Sequence, residues 1–82
     1  MKTNDMKYGT RILLACGWQA TLKDNAKGAT RVAEVEGFYT EIGSVYTHDI
    51  VAFWDKDRWN KDIEYPESAL KTKKLLRDEG WL

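Results

Sequence analysis

The chain has few of the residues that cross-link a small domain or bind a metal. It contains one cysteine and one histidine, and its 13 basic and 13 acidic residues cancel to a net charge of zero. One cysteine excludes the intramolecular disulfides that most small secreted domains need. One cysteine and one histidine also leave too few ligands for a typical zinc site. The charge balance argues against long-range attraction to nucleic acid and against an acidic mimic of DNA.

The chain also lacks long apolar segments. No apolar run approaches the roughly 18 residues of a membrane span, and the polar N-terminus has no apolar signal-peptide core. We therefore expect a cytoplasmic protein that makes no membrane contact. We also expect it to use no cofactor and no metal.

Aromatic residues are abundant for the size of the chain. The 82 residues predict one domain with a thin core, and 43% of them are hydrophobic, which is too many for a disordered chain. The chain has four tryptophans, four tyrosines and two phenylalanines. Each buried ring removes about 150–250 Å² from water, and a core of this size cannot hide them all. Some rings should therefore remain exposed.

Alternation of apolar and polar residues predicts a mainly β protein. It places Ile12 and Leu14 on one face of the first strand, and it directs Trp18, Ala20 and Leu22 of the second strand inward. Turn residues at 24–28 and a charged turn at 55–58 separate the predicted strands, which span residues 8–16, 18–22, 30–36, 45–54 and 59–65. Residues 1–7 are predicted to be a disordered lead-in, residues 8–77 the domain and residues 78–82 a C-terminal tail that ends in Trp81 and Leu82.

Two interpretations remain for the segment that follows Pro66. Pro66 ends the last strand, and residues 66–70 suit a 3₁₀ turn or the first turn of a helix. Beyond this turn, Ala69, Leu70, Leu75 and Leu76 form a weak helical face, but residues 71–76 also suit a short closing strand. We favour the turn followed by the strand.

These five short strands, with a turn before a closing segment, resemble an SH3-like small β-barrel between Tyr8 and about Leu76. The resemblance implies a five-stranded barrel with a short 3₁₀ or helical turn near the C-terminus. It also implies exposed aromatic residues, placed where loops meet strands, that grip a peptide, a cation or a base. The segments 24–28, 40–44 and 46–50 resemble parts of short proteins of tailed bacteriophages. That resemblance implies a phage accessory protein that acts in the host cytoplasm.

Catalytic residue types are present without the motifs that normally accompany them. Cys16 or Ser44 with His48 has the residue types of a nucleophilic dyad, but no nucleophile-elbow motif surrounds either residue. Two carboxylate pairs have the spacing of any solvent-facing strand: Glu34 with Glu36, and Asp62 with Glu64. We therefore predict that the protein is not an enzyme.

The predicted function is binding of a host or phage protein through an aromatic patch. Tryptophan and tyrosine bring rigid contact area at low entropic cost, and an arginine can form paired hydrogen bonds with a carboxylate. The residues predicted to form this patch are Tyr39, Tyr46, Trp54, Arg58 and Trp59.

Two other functions stay open. The basic residues Lys71, Lys73, Lys74 and Arg77 form the one local excess of positive charge and suit a phosphate-facing stripe in a nucleic-acid-binding barrel. Alternatively, the chain forms a structural homo-oligomer through an exposed strand edge or through the Trp81-Leu82 tail.

Overall fold

The computed structural model describes residues 1–80 of the chain. Trp81 and Leu82, the apolar end of the predicted tail, lie outside the described residues. The described elements, in chain order, are a 3₁₀ turn (Thr3–Asp5), β1 (Arg11–Leu14), β2 (Gln19–Leu22), β3 (Thr30–Glu36), β4 (Thr40–Tyr46), a second 3₁₀ turn (Thr47–Asp49), β5 (Ile50–Asp55), β6 (Arg58–Asn60) and α1 (Glu67–Asp78).

The strands form one antiparallel sheet in the order β4-β3-β2-β1-β5-β6. The first four strands follow one another as a meander. The chain then passes to the other side of β1, where β5 pairs with it. The mainly β prediction is confirmed, but within residues 1–80 the sheet has six strands rather than five and is not closed, with β4 and β6 at its two edges.

The strand predicted over residues 45–54 is two strands in the structure. The 3₁₀ turn Thr47–Asp49 separates them. The hydroxyl of Thr47 donates a hydrogen bond to the Gly28 carbonyl at 2.7 Å, and the Thr47 N–H donates to the Ala29 carbonyl at 2.8 Å. These hydrogen bonds to a loop that is distant in sequence turn the chain. Alternation of apolar and polar residues does not predict them. The pairing of β4 with β3 was likewise missed, because the exposed Thr40–Tyr46 segment lacks strong alternation.

The strand predicted over residues 59–65 ends at Asn60. Beyond it, the chain leaves the sheet and runs beside the N-terminal residues. The Thr3 N–H donates to the Glu64 carbonyl at 3.0 Å, and the Glu64 N–H donates to the Met1 carbonyl at 2.9 Å. Thr3 and Met6 are buried, so in the structure the segment predicted as a disordered lead-in packs against the domain.

The C-terminal segment is helical. Pro66 stands immediately before α1, where its fixed φ suits the start of a helix. Ala69 is buried, and Thr72 and Leu76 follow it at helical spacing and are half-buried. The closing strand favoured for residues 71–76 is therefore wrong. Of the two alternatives for residues 66–70, the first turn of a helix is the one that the structure has. The apolar face of the helix is weak because Leu70 and Leu75 are exposed.

The core lies on one face of the sheet and is small. It consists of Met6, Ile12, Leu14, Ala20, Leu22, Ala33, Ile50 and Phe53. The alternation within β1 and β2 predicted this face correctly for Ile12, Leu14, Ala20 and Leu22.

A charged side chain completes the interior. Arg31 of β3 is 1% exposed and donates from Nε to Asp24 Oδ1 at 2.8 Å. Its Nη1 and Nη2 atoms donate to the carbonyls of Thr3 and Met6 at 2.9 and 2.7 Å. Asp24 also accepts a hydrogen bond from the Val32 N–H at 2.8 Å. One ion pair therefore joins the N-terminal segment, the β2–β3 loop and β3.

These contacts control the ionisation of Asp24. Burial alone would raise the pKa of Asp24, but hydrogen bonds from the Val32 N–H and the Arg31 guanidinium, together with the Arg31 charge, outweigh it. The pKa of Asp24 is therefore lowered in the folded protein. Its contribution to stability is present above the unfolded pKa of about 3.9 and is lost as the pH falls through the folded value.

Asp24→Asn should lower the free energy of unfolding at pH 7 by about 3–5 kcal/mol, because it leaves Arg31 buried without its counter-ion. The variant's stability should also depend less on pH below about 4 than that of the wild type. Urea unfolding followed by tryptophan fluorescence at neutral and acidic pH measures both effects. Glu36→Gln is the control, because it removes the solvent-exposed partner of Arg11 and should cost much less. Equal losses in the two variants would contradict the assigned role of Asp24.

The hairpin between β5 and β6 contains a strained turn. Lys56 and Asp57 have φ values of 53° and 61°, and Asp55 pairs with Arg58 across them. This two-residue turn of the I′ type normally uses glycine, because left-handed backbone costs other residues roughly 1–2 kcal/mol each.

Asp57→Gly should therefore raise the free energy of unfolding by up to about 1 kcal/mol, since the relief of strain exceeds the entropy that glycine adds to the unfolded chain. Asp62→Gly is the matched control. Because Asp62 has negative φ, this variant should be less stable than the wild type. Thermal unfolding of the two variants measures the difference. A lower midpoint for Asp57→Gly than for the wild type would show that the turn is not strained.

Candidate functional site

The five residues predicted to form one aromatic patch lie in two regions of the sheet. Tyr39 and Tyr46 flank or end β4, which is one edge of the sheet. Trp54, Arg58 and Trp59 lie in the β5–β6 hairpin at the opposite edge. The strand order therefore divides the predicted residues between two surfaces.

The first surface is formed by two tryptophans. Trp54 and Trp59 are direct cross-strand partners, with ring centroids 5.3 Å apart and planes at 76°. This edge-to-face geometry is one that aromatic pairs prefer. Trp54 is 45% exposed and Trp59 is half-buried, so the pair combines a supported ring with an accessible one.

Arg11 and Gln19 complete this surface. Together with the two indoles they line a shallow depression of about 290 Å³, and we call these four residues the tryptophan surface. Arg11 donates from Nη1 to Glu36 Oε1 at 3.0 Å and from Nη2 to Glu36 Oε2 at 2.7 Å, and Nη2 also donates to Gln19 Oε1 at 2.7 Å. The hydrogen bond from Arg11 lowers the pKa of Glu36. The depression therefore has an aromatic floor and a polar rim whose members are held in place.

Arg11 and Gln19 were missed in the sequence. Alternation places both outside the core, but only the strand register brings them beside Trp54 and Trp59. Arg58 is the converse case, because it was predicted to form part of the aromatic patch. It is adjacent to Trp59 in sequence, yet alternation along β6 directs it to the other face of the sheet. Its side chain forms no ion pair with any residue among 1–80.

The second surface surrounds the β3–β4 turn. Phe38 is 91% exposed and Tyr39 is 79% exposed. Trp18 lies against Phe38 in an edge-to-face contact with centroids 5.8 Å apart. The Trp18 ring also covers Gly37, where a Cβ atom would lie 2.5 Å from Cζ3 of the indole. Trp18 was expected to face inward, but its side chain is 43% exposed.

A cleft runs from this turn along β4. It consists of two adjoining depressions of about 460 and 320 Å³, both of which include Leu14, Ser44 and Val45. We call the whole the edge cleft. Its other lining residues are Ala15, Cys16, Trp18, Val35, Glu41, Ile42, Gly43, Tyr46 and Asp49.

His48 is enclosed beside the end of this cleft. Its ring stacks on Tyr46 at a centroid distance of 5.1 Å, and its Nε2 atom lies 3.7 Å from Asp49 Oδ1. Neither ring nitrogen has a hydrogen-bond partner within the described part of the chain. Within residues 1–80, therefore, neither Cys16 nor Ser44 is hydrogen-bonded to His48 as a catalytic dyad requires. Nor do three histidine, cysteine, aspartate or glutamate residues of this part form a group that could hold a metal ion.

The helix carries the predicted basic cluster. Lys71, Lys73, Lys74 and Arg77 are all exposed on α1, opposite to or beside the buried side that contains Ala69. Lys71 pairs with Glu67 at 3.2 Å, one helical turn earlier. Of the helices that residues 1–80 form, none is both long enough and apolar enough to cross a membrane.

Comparison with known proteins gives no relative from which a function could be transferred. The chain matches no protein-family model, and no curated protein or solved structure is significantly similar to it.

Proposed function

We propose that the chain is a small non-enzymatic binding module that captures another protein at the tryptophan surface. The observation that carries the proposal is the exposed Trp54 ring, which is supported edge-to-face by Trp59 above a depression. Binding hot spots are enriched in tryptophan and arginine and are surrounded by polar residues that exclude water. Arg11, Gln19 and Glu36 supply such a rim.

The proposed architecture is an SH3-like barrel. Its support is a set of short antiparallel strands and the 3₁₀ turn Thr47–Asp49 immediately before the fifth strand. In SH3-like barrels a 3₁₀ turn commonly precedes the last strand. Here β6 follows as the second strand of a hairpin, so the proposed relation is to a barrel of this type that is open between β4 and β6. The proposed context is a phage accessory protein in the host cytoplasm, with a host or phage protein as its partner. The exposed free thiol of Cys16 suits that reducing compartment.

Trp54→Ala should reduce partner capture by at least about tenfold, because truncation of a hot-spot tryptophan typically costs 2 kcal/mol or more. Immobilised wild-type and variant proteins are incubated with host lysate, and the captured proteins are quantified by mass spectrometry. Circular dichroism should show that the variant is folded, since Trp54 is not part of the core.

Phe38→Ala is the matched control, because it removes an even more exposed ring at the other end of the sheet. It should capture the same proteins as the wild type. If Trp54→Ala keeps its partners while Phe38→Ala loses them, the binding surface lies at the β3–β4 turn instead.

Binding of nucleic acid by α1 is the second candidate, because the helix gathers four basic side chains on its exposed sides. The tryptophan-surface proposal predicts that replacing Lys71, Lys73, Lys74 and Arg77 by glutamine leaves partner capture unchanged. A gel-shift titration of the wild type with a labelled oligonucleotide at low salt distinguishes the two candidates. A shift that weakens steeply with added salt, and that the quadruple variant loses, would assign nucleic-acid binding to the helix.

A further inference from the structure

The β4 edge lacks the features that normally protect a strand edge. The strand has seven residues, pairs with β3 without a register shift, and contains no proline and no lysine. The opposite edge strand, β6, has three residues and is followed by Lys61. Exposed edge strands in proteins are usually short, bent or flanked by charged side chains, which prevents pairing with another chain. The β6 strand has such features and β4 does not.

The register shows which backbone groups of β4 are available. The Gly37 N–H donates to the Tyr39 carbonyl, and the Thr47 N–H donates to the Ala29 carbonyl, so odd-numbered residues form the hydrogen-bonded pairs with β3. Hydrogen-bonded and non-hydrogen-bonded pairs alternate in an antiparallel ladder. The N–H and C=O groups of Thr40, Ile42, Ser44 and Tyr46 therefore point away from β3. No residue among 1–80 pairs with this side of the strand.

The edge cleft lies along this same side. Both odd- and even-numbered residues of β4 line it, from Glu41 to Tyr46. Successive side chains of a strand point to opposite faces, so a depression that touches both sets runs along the edge of the sheet. Its floor is apolar at Leu14, Val35 and Val45, which continue the core. A strand placed here would gain backbone hydrogen bonds and would bury alternate side chains.

Charge indicates which kind of strand fits. Among the described residues, the charged ones that line the edge cleft are Glu41 and Asp49, both carboxylates. Glu41 lines one of its two depressions and Asp49 lines the other. A second copy of β4 would bring another glutamate and no cation to this acidic cleft. A segment with a basic residue near each end and apolar residues in alternation between them is complementary to it.

We propose that the edge cleft binds such a basic, extended segment of a partner protein as an additional strand beside β4. The free N–H and C=O groups of Ile42 and Ser44 supply the hydrogen bonds, as in other cases of strand addition to a sheet edge. Leu14 and Val45 contact the inward side chains, and Glu41 and Asp49 contact the basic ends. This site is separate from the tryptophan surface and does not depend on it.

The test uses a fluorescent seven-residue peptide, Lys-Thr-Val-Thr-Val-Thr-Lys, whose lysines and valines share one face of an extended strand, as Glu41 and Val45 do in β4. A matched peptide has glutamate at both ends. Fluorescence anisotropy should show that wild-type protein binds the lysine peptide at least about tenfold more tightly than the glutamate peptide. Trp54→Ala should bind the lysine peptide like the wild type, which separates this proposal from the preceding one.

Two variants test the two parts of the mechanism. Ser44→Pro removes an N–H that points away from β3, so the ladder should survive while peptide affinity falls by at least about tenfold. Circular dichroism checks that this variant is folded. Glu41→Lys changes an exposed side chain and should weaken binding of the lysine peptide in favour of the glutamate peptide.

Three results would overturn the proposal. These are equal affinity of the wild type for both peptides, undiminished binding by a folded Ser44→Pro variant, and an unchanged peptide preference in Glu41→Lys. Sedimentation at several concentrations examines the rival occupant. A dimer that forms in the wild type and is lost in Ser44→Pro would assign this edge to a second copy of the chain.

Discussion

The buried ion pair between Arg31 and Asp24 is the contact on which the remaining structure depends. It joins β3 to the β2–β3 loop and, through two backbone carbonyls, to the N-terminal turn. The same loop contains Gly28, whose carbonyl accepts a hydrogen bond from the Thr47 hydroxyl. Thr47 begins the 3₁₀ turn where the chain leaves β4 for β5. A charge pair in a thin core is thus linked, through this loop, to the turn at which β4 ends and β5 follows.

The ion pair also explains how so small a core can order so much chain. Burial of apolar surface alone is limited in a domain of this size. Burying an arginine is costly, but its guanidinium has several donors in fixed directions and can hold separate segments at once. Here it donates hydrogen bonds to the backbone carbonyls of Thr3 and Met6. The N-terminal segment is thereby fixed and lies beside Glu64, so the chain turns out of the sheet after β6.

Alternation of apolar and polar residues predicted those features of the fold that neighbouring residues determine. The inward faces of β1 and β2 follow directly from the order of Ile12, Leu14, Ala20 and Leu22. The features that were missed depend on distant partners: Thr47 turns because of Gly28, and Arg31 is buried because of Asp24. The same limit applies to the candidate site. The chain has more aromatic residues than its core can hold, which predicted that some would be exposed. Phe38 and Trp54 are exposed. Only the register, however, could place Arg11 beside Trp54 and direct Arg58 to the other face.

The two edges of the sheet suit different kinds of contact. At the β5–β6 edge, Lys56 and Asp57 form the turn with left-handed backbone conformations. The strand register set by this turn places Trp54 directly opposite Trp59. That arrangement offers side-chain surface on a short strand whose backbone is poorly suited to further pairing. At the β4 edge, the side chains are of mixed size and polarity, but the backbone is regular and accessible. A partner recognised by its side chains suits the first edge, and one recognised in extended conformation suits the second. Because three strands, β1 to β3, lie between β5 and the far edge strand β4, both contacts can be made at the same time.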